Sequence, residues 1–408
     1  VTLALVLSEW GNFLLRWTHV IAGIAWIGSS FYFVHLDLSL RKHEGLAQGV
    51  GGEAWQVHGG GFYNMVKYVV APPHLPKELT WFKWEAYATW LSGFALFISL
   101  YYTNAELYLI DRTVLDISPA TAIAISLGGM VAGWVIYDLM CKSPLGRNDL
   151  LLGLVGFVLL VAASYGYTNV FSGRGAYVQI GAMIGTIMVA SVAMTIIPNQ
   201  RKIVVDLLAG RTPDPALGAA GKQRSVHNNY LTLPVVFLMI SNHYPLAFAS
   251  RWNWVIIGLV VIIGVTVRHF YNSRHAHKPT PWWTWAVAAA AFVAIVILSS
   301  PGAFMGKTFM GKSTSLAPTR QVAFTEVQDI VMSRCSMCHA AEPVWDGIGV
   351  PPKGVMLETP AQIREHASAI YLQAAMTHAM PPGGNITEIS DEDRAVLAAW
   401  YEAGARAQ

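Results

Sequence analysis

The run Cys335-Ser336-Met337-Cys338-His339 places two thiols three residues apart with an imidazole directly behind the second. On one helical turn such a pair can add to the two vinyl groups of a haem, and the adjacent histidine then faces the iron; this is the attachment pattern of a c-type haem. No second Cys/His pair follows at zinc spacing, which argues against a zinc or dithiol site. A soft sixth ligand is expected in a downstream loop, because a Met–His pair raises the iron's potential into an electron-transfer range. Met380, in His378-Ala379-Met380-Pro381-Pro382-Gly383, is the first choice, since the prolines behind it stiffen the backbone. Its rivals are Met356 in a loop, His378, and Met376, which lies in a helical stretch and is expected to pack.

Histidines in apolar surroundings form a second set. His19 and His35 lie near the two ends of the first apolar run, and His227 and His243 have the same sequence separation in the sixth, about 24 Å of helix rise. With those helices antiparallel, His35 falls level with His227 and His19 with His243, and His269 on the seventh run falls level with His35. Polar groups at membrane depth are functional by default, so facing imidazoles among His19, His243, His35 and His269 could hold a haem b. A hydrogen bond to a neighbouring helix, or snorkelling, explains any single one equally well. The stretches Ser225-Val226-His227-Asn228-Asn229-Tyr230, entering the sixth helix, and Ser241-Asn242-His243-Tyr244-Pro245, leaving it, set amides and imidazoles beside aromatic rings. A flat, hydrogen-bonding heterocycle requires such groups, although an interfacial belt has them too. His227 and Asn229, with His58 and His74 from a long loop, are the catalytic candidates for a substrate admitted from the inner side; His19 and His243 would favour outer entry.

The elements that must position these residues follow from composition. The 408 residues are 54% hydrophobic and 12% charged, against about a quarter charged in an ordinary soluble protein, which assigns the chain to a lipid bilayer. A net charge of +3 without a basic run excludes a nucleic-acid partner, and three cysteines, of which Cys141 stands apart, exclude a disulfide scaffold. Apolar runs near 12–36, 84–102, 119–140, 149–168, 176–197, 229–248, 252–271 and 282–300 each approach the roughly 20 residues that cross a bilayer. The loops after the first, third, fifth and seventh hold Arg41, Lys42, Lys67, Lys77, Lys142, Arg147, Arg201, Lys202, Arg211, Lys222, Arg224, Arg274 and Lys278; the others hold only Arg112, Arg174 and Arg251. By the positive-inside rule the first set is cytoplasmic and both termini lie outside. An even number of crossings puts the Cys335 motif on the outer face, where c-type haem is attached. The expected fold is therefore all-α: a polytopic bundle of eight transmembrane helices over 1–300, a Gly/Ser/Thr/Pro linker over 301–319, and a small class I cytochrome c domain over 320–408. In that last part Ser390 and Asp393 have capping-box spacing before an amphipathic run. Within 37–80, aromatics, β-branched residues and glycines predict a short hairpin.

The stretches SEWGNFLLRWTHVIAGIAWIGSSFYF and SVHNNYLTLPVVFLMISNHYP, with the terminal CSMCH, resemble the bacterial membrane-bound urate oxidase (urate hydroxylase) family over essentially the whole chain. The resemblance implies an eight-helix domain in the bacterial inner membrane fused to a periplasmic cytochrome c. It further implies oxidation of urate, or a similar purine, to 5-hydroxyisourate, with electrons leaving through one covalent haem c to a soluble cytochrome c and a terminal oxidase. Cys335, Cys338, His339 and Met380 then take the haem roles, and a likeness of the first helix to that of small haem b membrane proteins favours His19 as a ligand. A urate proton would go to a base such as a histidine, two electrons would leave singly, and water would add at C5. One haem c takes one electron at a time, which argues for a second haem in the bundle or for two successive transfers. The competing reading is an electron-transfer subunit oxidising quinol or a partner complex; a sensor or transporter lacks a signalling domain and inverted repeats.

Overall fold

The computed structural model describes residues 3–70, 72, 74–299 and 322–406; the expected linker 301–319 lies outside them. The long helices are α1 (Leu3–Ser39), α2 (Trp84–Phe97), α3 (Pro119–Lys142), α4 (Asp149–Thr168), α5 (Gly173–Ser191), α6 (Pro215–Ile240), α7 (Asn253–His275) and α8 (Trp283–Ser299). α5 runs on through a π turn, Val192–Ile196, into Ile197–Leu208. Four of them start behind a capping side chain. Ser118, Asn148, Ser172 and Asp214 each accept a hydrogen bond from a first-turn amide of α3, α4, α5 and α6, satisfying donors that a helix start leaves open.

Among the described residues five helices are long and apolar enough to cross a membrane: Val6–Ser39, Pro119–Lys142, Asp149–Thr168, Gly173–Leu208 and Asn253–His275, with Trp283–Ser299 as a shorter apolar helix. The sequence predicts eight crossings, and the shortfall has local causes. α2 passes after 14 residues into a π turn over Ile98–Tyr102. α6 begins at Pro215, well before the predicted start near 229, so its first half carries Lys222 and Arg224. Inside it Pro234 lacks the amide that would continue the ladder, and Gly264 of α7 packs there, where an added Cβ would sit 2.4 Å from Pro234 Cδ. The chain is thus mostly helical, with several apolar helices compatible with a multi-pass membrane protein. α1, α3 and α4 turn Trp10, Phe13, Trp17, Ile136, Leu139 and Leu154 outward, an apolar surface that lipid accommodates and water does not. α5 and α7 lie inside, and the core gathers on Tyr177, Ile180, Ile184, Leu238, Ile256 and Ile257.

The two ends of the bundle differ. At the basic end, strands β1 (Val50–His58) and β2 (Gly61–Tyr68) form the expected antiparallel hairpin, turned by Gly59 and Gly60 at φ 56° and 80°, as a two-residue hairpin loop demands. Asp37 at the end of α1 pairs with Lys67 of the hairpin and, at 2.7 Å, with Lys222 of α6. At the opposite end Ser172 Oγ donates to Tyr108 O (2.8 Å), Tyr177 to the carbonyls of Ala247 and Asn253, and Ser250 Oγ to Leu298 O at the end of α8. The C-terminal unit docks at this second end. It comprises α9 (Phe324–Arg334), α10 (Pro360–Glu365) and α11 (Asp391–Glu402) around a core of its own that includes Val327, Val331, Ile363, Leu397 and Trp400. Ser390 and Asp393 form the predicted capping box. Gly383 and Gly384, at φ 63° and 78°, bring its backbone so close to the 104–113 segment that a Cβ would lie 2.6 Å from Glu106 O and from Asp111 Oδ1 respectively.

Candidate functional site

In the C-terminal unit α9 runs out into the Cys335–His339 turn. The amides of Cys338 and His339 both donate to Cys335 O, at 3.2 and 3.0 Å, so the two thiols and the imidazole share one turn as their spacing requires. Burial pushes both thiols up. Burial also lowers the His339 imidazole, against a smaller upward pull from its hydrogen bond to Val355. The ring is therefore neutral at pH 7. Its Nδ1 donates to Val355 O at 2.9 Å, which fixes the tautomer and leaves the Nε2 lone pair for a metal. Met380 packs on the same core as Cys335. Its backbone is clamped on both sides, the amide donating to Gln373 O and the carbonyl accepting from buried Arg394, each at 2.9 Å. Arg394 also donates to Ala374 O. Of the rival donors, Met376 does not pack as expected: it closes the π turn Tyr371–Met376 and is 41% exposed. His378 is exposed with φ 54°, and Met356 is half-buried. Among the described residues no group of three or more His, Cys, Asp or Glu side chains is placed to hold a metal ion. A haem brings its own four nitrogens, so the donors it would need are one imidazole and one thioether, and His339 and Met380 fit that need.

The loop carrying Met380 faces the bundle across a cleft of about 570 Å³, with Tyr108, Arg174 and Phe248 on one wall and His378, Pro381 and Arg394 on the other. The Arg174 guanidinium lies over both Phe248 and Tyr108, at 5.4 and 5.9 Å. Segments following α2, α4 and α6 all reach this cleft, so the three loops poor in basic residues share the end on which the C-terminal unit docks.

The histidines are arranged differently from the depth argument. His19 Nδ1 donates to Thr89 O of α2 at 2.9 Å, with Ser92 Oγ at 3.3 Å, and Gly93 makes room for the ring. His243 is no helical partner for it: α6 ends at Ile240, and His243 stands exposed in the 3₁₀ turn Ser241–His243. His35 meets the ring of His275, with centroids 4.1 Å apart. His269 Nδ1 lies 3.1 Å from the Tyr230 hydroxyl and its ring faces Trp283. His227 is not at a helix entrance but well inside α6, its Nδ1 2.7 Å from the Tyr137 hydroxyl. His58 at the hairpin turn and His74 in the following loop are exposed.

Asn229, the remaining catalytic candidate, is fully buried at the centre of a polar cluster that sequence reasoning missed. Its Oδ1 accepts from Arg268 Nε (3.1 Å), Arg268 Nη2 (3.0 Å) and Asn272 Nδ2 (3.0 Å). Arg268 Nη2 also donates to Asn272 Oδ1 at 2.9 Å, and the guanidinium carbon sits 3.8 Å from the centroid of Phe31. A cation within a predicted crossing was the available signal. Nearby, buried Arg224 pairs with Asp138 at 2.8 Å and lies over Tyr137.

The urate oxidase N-terminal family model matches residues 5–299. No curated protein and no solved structure matches the chain.

Proposed function

Because the chain belongs to the urate oxidase N-terminal family, we propose that it is a membrane-bound oxidoreductase that converts urate to 5-hydroxyisourate and delivers the electrons to an external cytochrome c. The observation that carries the coupling is the docking of the Met380 loop, through Gly383 and Gly384, on the end of the family-matched bundle. An electron carrier in the C-terminal unit would thereby be held against the domain that oxidises the substrate.

Urate and water give 5-hydroxyisourate, two protons and two electrons. Haem c, attached through Cys335 and Cys338 with His339 and Met380 on its iron, would accept these electrons one at a time. His339 is oriented by Val355 O, and Met380 is held by Gln373 and Arg394. The substrate proton is assigned to a histidine of the bundle; His227 itself is in contact with the Tyr137 hydroxyl. His19, whose Nδ1 is committed to Thr89 O, is the residue that would hold a haem b through Nε2, and such a group would supply a second one-electron site. We place eight crossings in a bacterial plasma membrane, with the basic end cytoplasmic and the C-terminal unit outside. The sorting of Lys and Arg by loop supports this orientation, as does the meeting of the basic-poor loops under that unit.

The test is turnover by the purified full-length protein in lipid, with oxidised soluble cytochrome c as acceptor. Two cytochromes reduced per urate lost is the expected stoichiometry. Urate left intact while added quinol reduces the cytochrome would assign the protein to quinol oxidation instead.

A further inference from the structure

We infer that Arg268 is the anion-recognition point of the substrate site, and that with Phe31, Asn228, Asn229 and Asn272 it takes a planar monoanion of the urate class; this rests on the urate-oxidising reading above. Arg268 lies in α7 seven residues before its last, His275, about 10 Å from the helix end, and is 5% exposed. A charge withdrawn from water in this way is very unfavourable unless an opposite charge meets it. The other buried cation of the bundle, Arg224, has such a partner in Asp138. Arg268 has none among the described residues: its hydrogen bonds all run to the neutral amide oxygens of Asn229 and Asn272.

The unused groups around it match a ligand. A guanidinium carries five N–H donors, and the two on Nη1 donate to nothing among the described residues, as only Nε and Nη2 are engaged. Asn229 Oδ1 already accepts three hydrogen bonds, so its amide orientation is fixed, and its buried Nδ2 has no partner. Asn228 Oδ1 is likewise buried and without a partner, although its Nδ2 donates to Met188 O. The Arg268 cluster therefore holds one full positive charge and a free amide donor, and the residue preceding Asn229 on α6 carries a free amide acceptor. Phe31, 3.8 Å from the guanidinium carbon, fixes the plane of the fork and so the plane in which acceptors are received. Urate at neutral pH is a flat monoanion whose O–C–N edges present two acceptors side by side with ring N–H donors. Hypoxanthine has a similar outline but is neutral at that pH, so the site should separate the two by charge.

The experiment is equilibrium binding of radiolabelled urate and of hypoxanthine to the full-length, haem-loaded protein in detergent, with the visible spectrum and melting temperature recorded for every variant. Arg268→Gln should weaken urate binding by roughly tenfold to a hundredfold, as for loss of a charge-assisted hydrogen bond, and change hypoxanthine binding by less than about twofold. Asn229→Asp guards against a variant that simply fails to fold: it supplies an internal carboxylate, so the melting temperature should hold or rise while urate binding falls by the same factor. Arg268→Lys keeps the charge without the fork and should fall between wild type and Arg268→Gln. Wild-type urate affinity in Asn229→Asp or in folded Arg268→Gln, in a protein that oxidises urate, would overturn the site alone. Wild-type protein that neither binds nor oxidises urate would overturn the functional reading, and the site with it.

Discussion

Substituting Gly383 by alanine tests how the C-terminal unit is coupled to the bundle. Gly383 has φ 63° and ψ 26°, a left-handed conformation that costs an L-residue about 1–2 kcal/mol. The new Cβ would also lie 2.6 Å from the carbonyl oxygen of Glu106 and 2.7 Å from Ile386 Cγ2. The carbonyl belongs to the short helix Ala105–Tyr108 and can yield only if that helix or the docked loop moves, adding about 1–2 kcal/mol on the scale of overpacking. The total of about 2–4 kcal/mol lowers the docking equilibrium constant by about thirtyfold to a thousandfold, since each 1.4 kcal/mol is tenfold. Stopped-flow spectroscopy of haem c reduction by urate reads this directly, with reduction by ascorbate, which needs no docking, as the internal reference. Gly354→Ala separates strain from contact, because Gly354 has φ 67° in the same unit but nothing within 4 Å of an added Cβ. The urate-driven phase should slow only in Gly383→Ala. Wild-type rates in that variant, or equal slowing in Gly354→Ala, would refute docking as the coupling element.

Three further outcomes are expected. Met380→His should keep the haem attached but lower its reduction potential in a redox titration, because an imidazole replaces the thioether; an unchanged potential would mean that Met380 is not the ligand. Extraction of the purified protein with acidified solvent should release non-covalent haem from wild type and less from His19→Ala; release of none would remove haem b from the scheme. Glu53 accepts hydrogen bonds from Asn64 and Trp55, which, with a smaller contribution from His43, hold its carboxyl below the ordinary glutamate range. Stabilisation of a carboxyl depressed in the folded state is complete above its unfolded value and is lost as pH falls through the folded one. Amide-exchange protection across β1 and β2 should therefore be flat near neutrality and decline in acid, and Glu53→Gln should remove that decline.

Local patterns were legible and tertiary ones were not. The Cys335–His339 turn, the Ser390 capping box and the Gly59-Gly60 hairpin each depend on residues within a few positions of one another, and each forms as its spacing predicts. The start of α6 is not signalled by hydropathy because its first turns, Pro215 to Lys222, are mostly small and exposed residues without a run of large apolar side chains; the signals left are Asp214 as cap and Pro215 behind it. Depth along two antiparallel helices sets His35 level with His227, but depth says nothing of rotation about the axis, and the ring in contact with His35 belongs to His275 of α7. Arg268 was hidden for a related reason. It stands close to the predicted end of its crossing, where a cation usually reaches for the interface; only the packing of α6, α7 and Phe31 shows that it turns inward and meets no carboxylate among the described residues.

The most direct measurement is a visible spectrum of the oxidised full-length protein, purified and held anaerobically, before and after addition of urate alone. Prompt growth of the reduced haem c α-band, with formation of 5-hydroxyisourate and no quinol present, is predicted. A haem that stays oxidised in excess urate yet is reduced at once by quinol would contradict the proposal that the bundle oxidises urate and feeds the electrons to the Cys335–Cys338 haem.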